Sequence, residues 1–185
     1  MKFRALLVAS ALALTTLVPA MSASADETDV HPAPARDRFE GNYTYGGGDK
    51  QRQARDAAIE KATDSMFFVT RGVARGRVKD KTEIWANVGF SFKNGLITTT
   101  MSKLPTATSP ESGATVPYKM GSDDLQLSQK LAPDGKLVQS FAGSDATRTN
   151  TYVLSPDGKT LNVFITVASS KLPQPVSYVL TYVRS

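Results

Sequence analysis

The order of three signals constrains this chain most. A short aromatic strand pattern runs from Phe39 to Tyr45, a basic stretch with helical periodicity follows from residue 49, and strand-like runs then alternate with Asn94-Gly95, Asp134-Gly135 and Asp157-Gly158. Glycine reaches positive φ at no steric cost, so such a pair between alternating runs marks a two-residue turn joining antiparallel neighbours. Consecutive hairpins give an up-and-down sheet, and closing that sheet on itself removes its exposed edges. The pattern therefore predicts an all-β fold: an up-and-down antiparallel β-barrel of about ten strands, with a short helical lid after the first strand. A two-layer sandwich is the alternative.

Residues 1–25 stand apart from this pattern. Lys2 and Arg4 precede a mostly apolar run from Ala5 to Leu14, and the segment closes on Ala23-Ser24-Ala25. These are the three regions of a secretory signal, with cleavage expected before Asp26. The apolar run falls well short of the ~20 residues a spanning helix needs, and Thr15, Thr16 and Pro19 follow it. An exported protein is expected, periplasmic or extracellular. Residues 26–38, DETDVHPAPARDR, carry almost no large apolar group, so burial cannot offset their ordering entropy, and they are expected to form a flexible leader. His31, the one histidine, falls inside that leader, away from the fixed partner that a catalytic imidazole needs. Residues 39–185 are left as a single domain, large enough to bury a core.

The chain has no cysteine, which excludes disulfides, thiol nucleophiles, zinc-thiolate sites and a lipoprotein acyl anchor. No cofactor is expected, since haem ligation by histidine could use only His31. Without Lys2 and Arg4, 20 basic residues face 17 acidic ones, a modest excess. The excess is local: nine basic residues and four acidic ones lie between Lys50 and Lys81. Arg71, Arg75, Arg77, Lys79 and Lys81 form a basic run suited to an anionic membrane surface, where each such group contributes about 1 kcal/mol. A nucleic-acid partner is not expected, because the charge occupies one short segment and no recognised module is present. A monomer is expected.

In the basic stretch, Ala54, Ala58, Ala62 and Met66 recur at intervals of four among good helix formers, with Asp49 as the expected N-cap and an end near Thr63. Asp64 or Ser65 is the expected cap of a second helix, whose end Gly72 and Gly76 should weaken. Gly46-Gly47-Gly48 reads as a hinge, since it lacks the spacing and following Lys-Ser or Lys-Thr of a phosphate loop. From Thr82 the period changes to two, with Ile84, Ala86, Val88, Phe90 and Phe92 on one face and Trp85, Asn87, Gly89 and Ser91 on the other. Strand-like runs follow at Leu96 to Met101, Thr115 to Met120, Asp124 to Lys130, Lys136 to Phe141, Arg148 to Leu154, Thr160 to Ala168 and Val176 to Arg184, with a further strand expected in Thr106 to Glu111. Outward positions such as Asn87, Ser91, Asn162 and Thr166 disagree with the continuous apolar belt of an outer-membrane barrel.

The opening Phe39-Glu40-Gly41-Asn42-Tyr43, the strand start Gly135-Lys136-Leu137-Val138, the Asp157-Gly158-Lys159 hairpin and the closing Tyr182-Val183-Arg184 together resemble the fatty-acid-binding proteins within the calycin group. The resemblance covers nearly all of residues 39–185 and implies a helix-turn-helix lid over a lipocalin-like, ligand-holding barrel. It also implies a carboxylate clamp. The clamp's closing Arg-x-Tyr is matched by Leu180-Thr181-Tyr182, so the tyrosine is present and the arginine is replaced. The clamp's other arginine would fall near Tyr152 or Val153, and Arg148 is the nearest substitute. An unpaired buried carboxylate is costly, so a neutral or amphipathic ligand suits such a site better than a fatty acid held head-inward.

The leading expectation is thus a binding module that encloses a small apolar molecule. Met66, Phe67 and Phe68 would face the opening, Phe90, Phe92, Tyr178 and Tyr182 would line the wall with Arg148, and the basic run would crown the rim. The plainer reading of those aromatics is core packing. The alternative function is an interaction or inhibitor protein that uses a solid barrel to present loops such as Leu172-Pro173-Gln174-Pro175 or Pro105 to Ala114. An enzyme is not expected, since Glu111, Asp123 and Asp124 form no matched acid and base by spacing.

Overall fold

The computed structural model describes residues 35–185; the expected signal segment and most of the expected leader, His31 included, lie outside the described residues. Residues 35–38, which composition places in the leader, instead belong to the helical turn α1 (Ala35–Phe39). Tertiary contacts override composition here. Arg38 Nη2 donates to the Ser155 carbonyl at 3.0 Å, and Phe39 packs edge-on against Phe90 with ring centroids 5.8 Å apart.

Ten strands follow one antiparallel scheme. They are β1 (Gly41–Tyr45), β2 (Asn87–Lys93), β3 (Leu96–Met101), β4 (Ala107–Pro110), β5 (Val116–Met120), β6 (Asp123–Leu131), β7 (Leu137–Ala142), β8 (Ala146–Leu154), β9 (Thr160–Ser169) and β10 (Val176–Arg184). Their order in the sheet is β4-β3-β2-β1-β10-β9-β8-β7-β6-β5, so β10 returns to pair with β1 and the sheet rolls into a nearly closed barrel. The outermost strands, β4 and β5, do not pair with each other. The seam is closed across β6 instead, by a bridge between Ser112 and Lys130 and by the side chain of Gln129, whose Nε2 donates to the Ile97 carbonyl at 2.8 Å.

One of the three expected two-residue turns has that geometry. Asn94 and Gly95 both adopt positive φ, 53° and 73°, as a type I′ turn requires. The other two loops are longer. Ala132 N donates to the Lys136 carbonyl and Ser155 N to the Thr160 carbonyl, enclosing Pro133-Asp134-Gly135 and Pro156 to Lys159. Proline presets φ for a type I turn at its second position, so only the glycine that closes each turn needs positive φ.

Inward-facing residues stack in rows set by the register. One row holds Leu137, Tyr152, Val163 and Leu180, and the next towards the open end holds Gln129, Gln139, Asn150, Ile165 and Tyr178. The third contains Leu127, Phe141, Arg148, Val167 and Val176. Apart from Ile165 the middle row is polar, and its polar side chains are paired. Thr99 Oγ1 and Gln139 Nε2 donate to Gln129 Oε1 at 2.6 and 2.9 Å, while Asn150 Nδ2 and the Tyr152 hydroxyl donate to Gln139 Oε1 at 2.9 and 2.8 Å. Below it, Phe90 packs edge-on against Tyr152 and Tyr43.

Two helices separate β1 from β2: α2 (Gly48–Thr63) and α3 (Phe68–Lys81). The expected side-chain caps are absent. Gly47 and Phe67 occupy the N-cap positions, Asp49 stands in the first turn of α2, and Asp64 closes that helix. Gly72 and Gly76 do not end α3, because its last turn is held from outside. The Thr82 hydroxyl donates back to the Val78 carbonyl at 2.8 Å, and Arg148 Nη1 donates to the Lys81 carbonyl at 2.9 Å, satisfying groups a helix end leaves open. Gln51 fixes α2 to β10 by accepting from Thr181 N and donating to its Oγ1, both at 2.8 Å. Among the described residues, no helix is long and apolar enough to cross a membrane.

Candidate functional site

Two adjoining cavities open at the barrel end where β8 begins. The first, about 540 Å3, runs between α3 and the rim, with Met66, Val69, Val73, Val78, Val167 and Leu172 as its apolar lining. The second, about 720 Å3, lies over the uppermost row, where Trp85, Leu104, Met120, Leu125 and Phe141 supply apolar wall beside the charged side chains of that mouth. Arg77, Lys81, Ala146 and Val167 line both, so one passage leads from the helix groove to the barrel mouth. Sites of this size and lining accommodate small organic ligands.

Arg148 is the central polar group. Its position on β8 points it inward above Asn150, to which its Nε donates at 3.0 Å. Its guanidinium lies over the Trp85 ring, 4.2 Å from the centroid, and its Nη2 is buried with no acceptor. Lys81 is bound to Asp123 across the mouth, tying the end of α3 to the β5–β6 hairpin. Burial pushes the hydroxyls of Tyr152, Tyr178 and Tyr182 above the ordinary tyrosine range, and the nearby Arg148 charge offsets part of that rise.

Of the residues that sequence placed at a ligand, Arg148 lines the second of these cavities and Met66, expected at the opening, lines the first. Phe90, Tyr178 and Tyr182 are buried in the core, the tyrosines donating to the Thr82 and Trp85 carbonyls at 3.3 and 3.1 Å. Phe92 is half-buried against that core, and neither cavity includes it. Phe67 and Phe68 stand 71% and 74% exposed, turned away from the groove that Met66 lines. In the basic run, Arg77 and Lys81 line the cavities. Arg71 and Arg75 bond back to the Met66 carbonyl and the Thr63 hydroxyl, and Lys79 lies 3.8 Å from Asp56. Trp85, expected on the outer face of a strand, precedes β2 and is buried. Among the described residues no cluster of three or more histidines and acids could hold a metal.

No protein-family profile matches the chain, and no curated protein sequence does. Solved structures do. A secretory abundant heat soluble protein from Ramazzottius varieornatus superposes with a TM-score of 0.54 at 9% identity, over 80% of this chain and 96% of that one. A Schistosoma mansoni fatty acid binding protein in complex with arachidonic acid gives 0.48 at 14% identity, over 82% and 99%. Fatty-acid-binding protein 1 of Echinococcus granulosus gives 0.46 at 15% identity, over 80% and 98%. At these identities the likeness concerns the fold. The chain has the fold of a nearly closed, ten-stranded antiparallel barrel with a helical insert after its first strand.

Proposed function

We propose that this chain is an exported binding module that holds a small apolar or amphipathic molecule at the mouth of its barrel, against the inner side of α3. The carrying observation is the pair of joined cavities, whose apolar side chains run from Met66 through Val167 to Phe141 around the Arg148 guanidinium. The bound molecule lies higher than the sequence reading placed it, because Tyr152, Gln139 and Phe90 fill the space below. The fold agrees, since small barrels of this kind hold a single ligand. Native mass spectrometry of the purified protein, with solvent extraction, tests this: a bound amphiphile, or saturable uptake of an apolar dye, is expected. A reproducibly empty protein that takes up no dye overturns it and favours the loop-presenting scaffold.

A second property has its own observation. Phe67, Phe68, Val69 and Val73 expose apolar surface on a helix that also carries Arg71, Arg75, Arg77, Lys79 and Lys81. Apolar groups flanked by bases suit contact with an anionic lipid surface, where the ligand would be collected or released. Co-sedimentation with anionic vesicles that fades as salt rises is the expected result.

A further inference from the structure

We propose that the outer wall of the barrel carries a second site, a notch over Gly89 that takes one ring of a neutral saccharide. The notch is a surface cavity of about 290 Å3 between β1, β2 and β3, with Glu40, Gly41, Asn42, Gly89, Ser91 and Thr100 in its lining. It shares no lining residue with either cavity of the mouth. Gly89 is what opens it. Glycine inside a strand weakens that strand, and its usual reasons are a bulge, an unusual backbone angle or the close approach of another group. The first two are absent, because Gly89 sits in unbroken register between Asn42 and Thr100 and has no positive φ. A Cβ there would stand 2.4 Å from Asn42 Oδ1 and 2.6 Å from Thr100 Oγ1, so both side chains lean over the bare Cα from the neighbouring strands. Such side-chain ends can turn aside for a methyl group. The fold itself therefore does not demand glycine here, and what the glycine provides is room at the surface.

The polar groups around this room lack partners, unlike others on the same wall. Thr44 donates to Asn87 Oδ1 and Thr181 to Asn162 Oδ1, both at 3.0 Å, and the hydroxyls of Thr98 and Thr108 lie 3.1 Å apart. Around the notch, the Asn42 amide, the Ser91 and Thr100 hydroxyls and the Glu40 carboxylate have no hydrogen-bond partner among the described residues. Asn42, Thr100 and Glu40 are also exposed, so all three are free to meet a ligand from solvent.

Charge and shape select the class of ligand. The outward positions of β1 to β4 hold one charged residue, Lys93, at the Asn94-Gly95 hairpin, and the charge in the notch is the Glu40 carboxylate. An anion would meet that carboxylate without a cation beside it. A purely apolar molecule would cover four polar groups and pair none of them. A sugar ring does neither. Its C–H face can lie on the glycine Cα and the threonine methyls, while its hydroxyls, each both donor and acceptor, match an amide, two hydroxyls and an acceptor-only carboxylate. The volume falls at the low end of the ~300–1,000 Å3 of small-molecule sites, so one ring fills the notch and the next rings of a longer chain lie over Thr98 and Thr108.

The test is a titration of the purified protein, followed by amide NMR signals, with maltohexaose, cellohexaose and chitohexaose, and with hexagalacturonate as the charged counterpart. At least one neutral hexasaccharide should shift the signals of Asn42, Gly89 and Thr100 saturably and leave those of Trp85 and Arg148 in place. Gly89→Val, which fills the notch, and Asn42→Ala, which removes an amide from its rim, should each weaken that binding about tenfold or more without changing dye uptake at the mouth. Asn42 is exposed, so its variant remains informative if Gly89→Val fails to fold. Signals of the notch that no neutral hexasaccharide moves overturn the proposal, as does binding that survives both substitutions. Hexagalacturonate binding as tightly as the neutral chains overturns the assignment to an uncharged sugar.

Discussion

Gln129 is where the account of the seam is most exposed to experiment. Its side chain is fully buried, accepts from Thr99 Oγ1 and Gln139 Nε2, and donates to the Ile97 carbonyl across the gap that β4 and β5 leave open. Gln129→Ala strands two buried donors, the Thr99 hydroxyl and the Gln139 amide. At ~1–3 kcal/mol each this predicts a loss of about 2–6 kcal/mol, with the low end reached if water enters the vacated space. That is a large share of the ~5–15 kcal/mol available to a domain. Gln129→Leu separates the causes, because it restores most of the volume and none of the hydrogen bonds. Urea unfolding at neutral pH, with the change taken from the midpoint and slope, gives both numbers. A leucine variant within about 0.5 kcal/mol of the parent would refute the argument, since it would mean that packing closes the seam and the polar row is incidental. Amide exchange should also quicken in β4 and β3 before it does in β8 and β9, whose ladders are long on both sides.

Three further outcomes follow from the same structure. All six tyrosines are shifted upward, chiefly by burial, so the folded chain keeps phenol protons that the unfolded chain releases near pH 10. Stability should therefore hold steady below about pH 10 and fall above it, and Tyr152→Phe should flatten that fall in denaturation curves taken across alkaline pH. Gly95→Ala places a Cβ at φ 73° in the type I′ turn and should cost about 1 kcal/mol in thermal or urea unfolding with little change in dye uptake. Replacing both Phe67 and Phe68 by Ser should weaken vesicle co-sedimentation while leaving dye uptake intact, since neither ring lines a cavity.

The fold was legible because its longest strands obey their period. In β9 and β10, Leu161, Val163, Ile165 and Val167 and then Val176, Tyr178, Leu180 and Tyr182 are buried in strict alternation. The alternation also carried an unused signal. Gln129 shares parity with Leu127 and Leu131, Gln139 with Leu137 and Phe141, and Asn150 with Tyr152, which marks the polar row as inward even though glutamine in a strand reads as solvated. The candidate site was less legible, because its walls come from segments far apart in sequence: α3, the stretch before β2, the start of β6, the end of β7 and the start of β8. Trp85 followed the strand alternation in sequence, but the strand begins two residues later and the ring is buried beneath the Arg148 guanidinium. Helix caps were misplaced for a related reason. Asp64 and Ser65 can cap in isolation, but Arg71 Nη2 donates to the Met66 carbonyl at 2.9 Å and holds the interhelical turn so that α3 starts at Phe68.

Trp85 is the chain's one tryptophan and lies in the wall of the second cavity, so its emission reports directly on whether an alkyl chain occupies the mouth. Titration with a single-chain amphiphile brominated along its tail should quench that emission saturably, and the unbrominated analogue should reverse it by competition. Emission that stays unchanged while the same amphiphile is shown by mass spectrometry to be bound would place the ligand elsewhere and contradict the account.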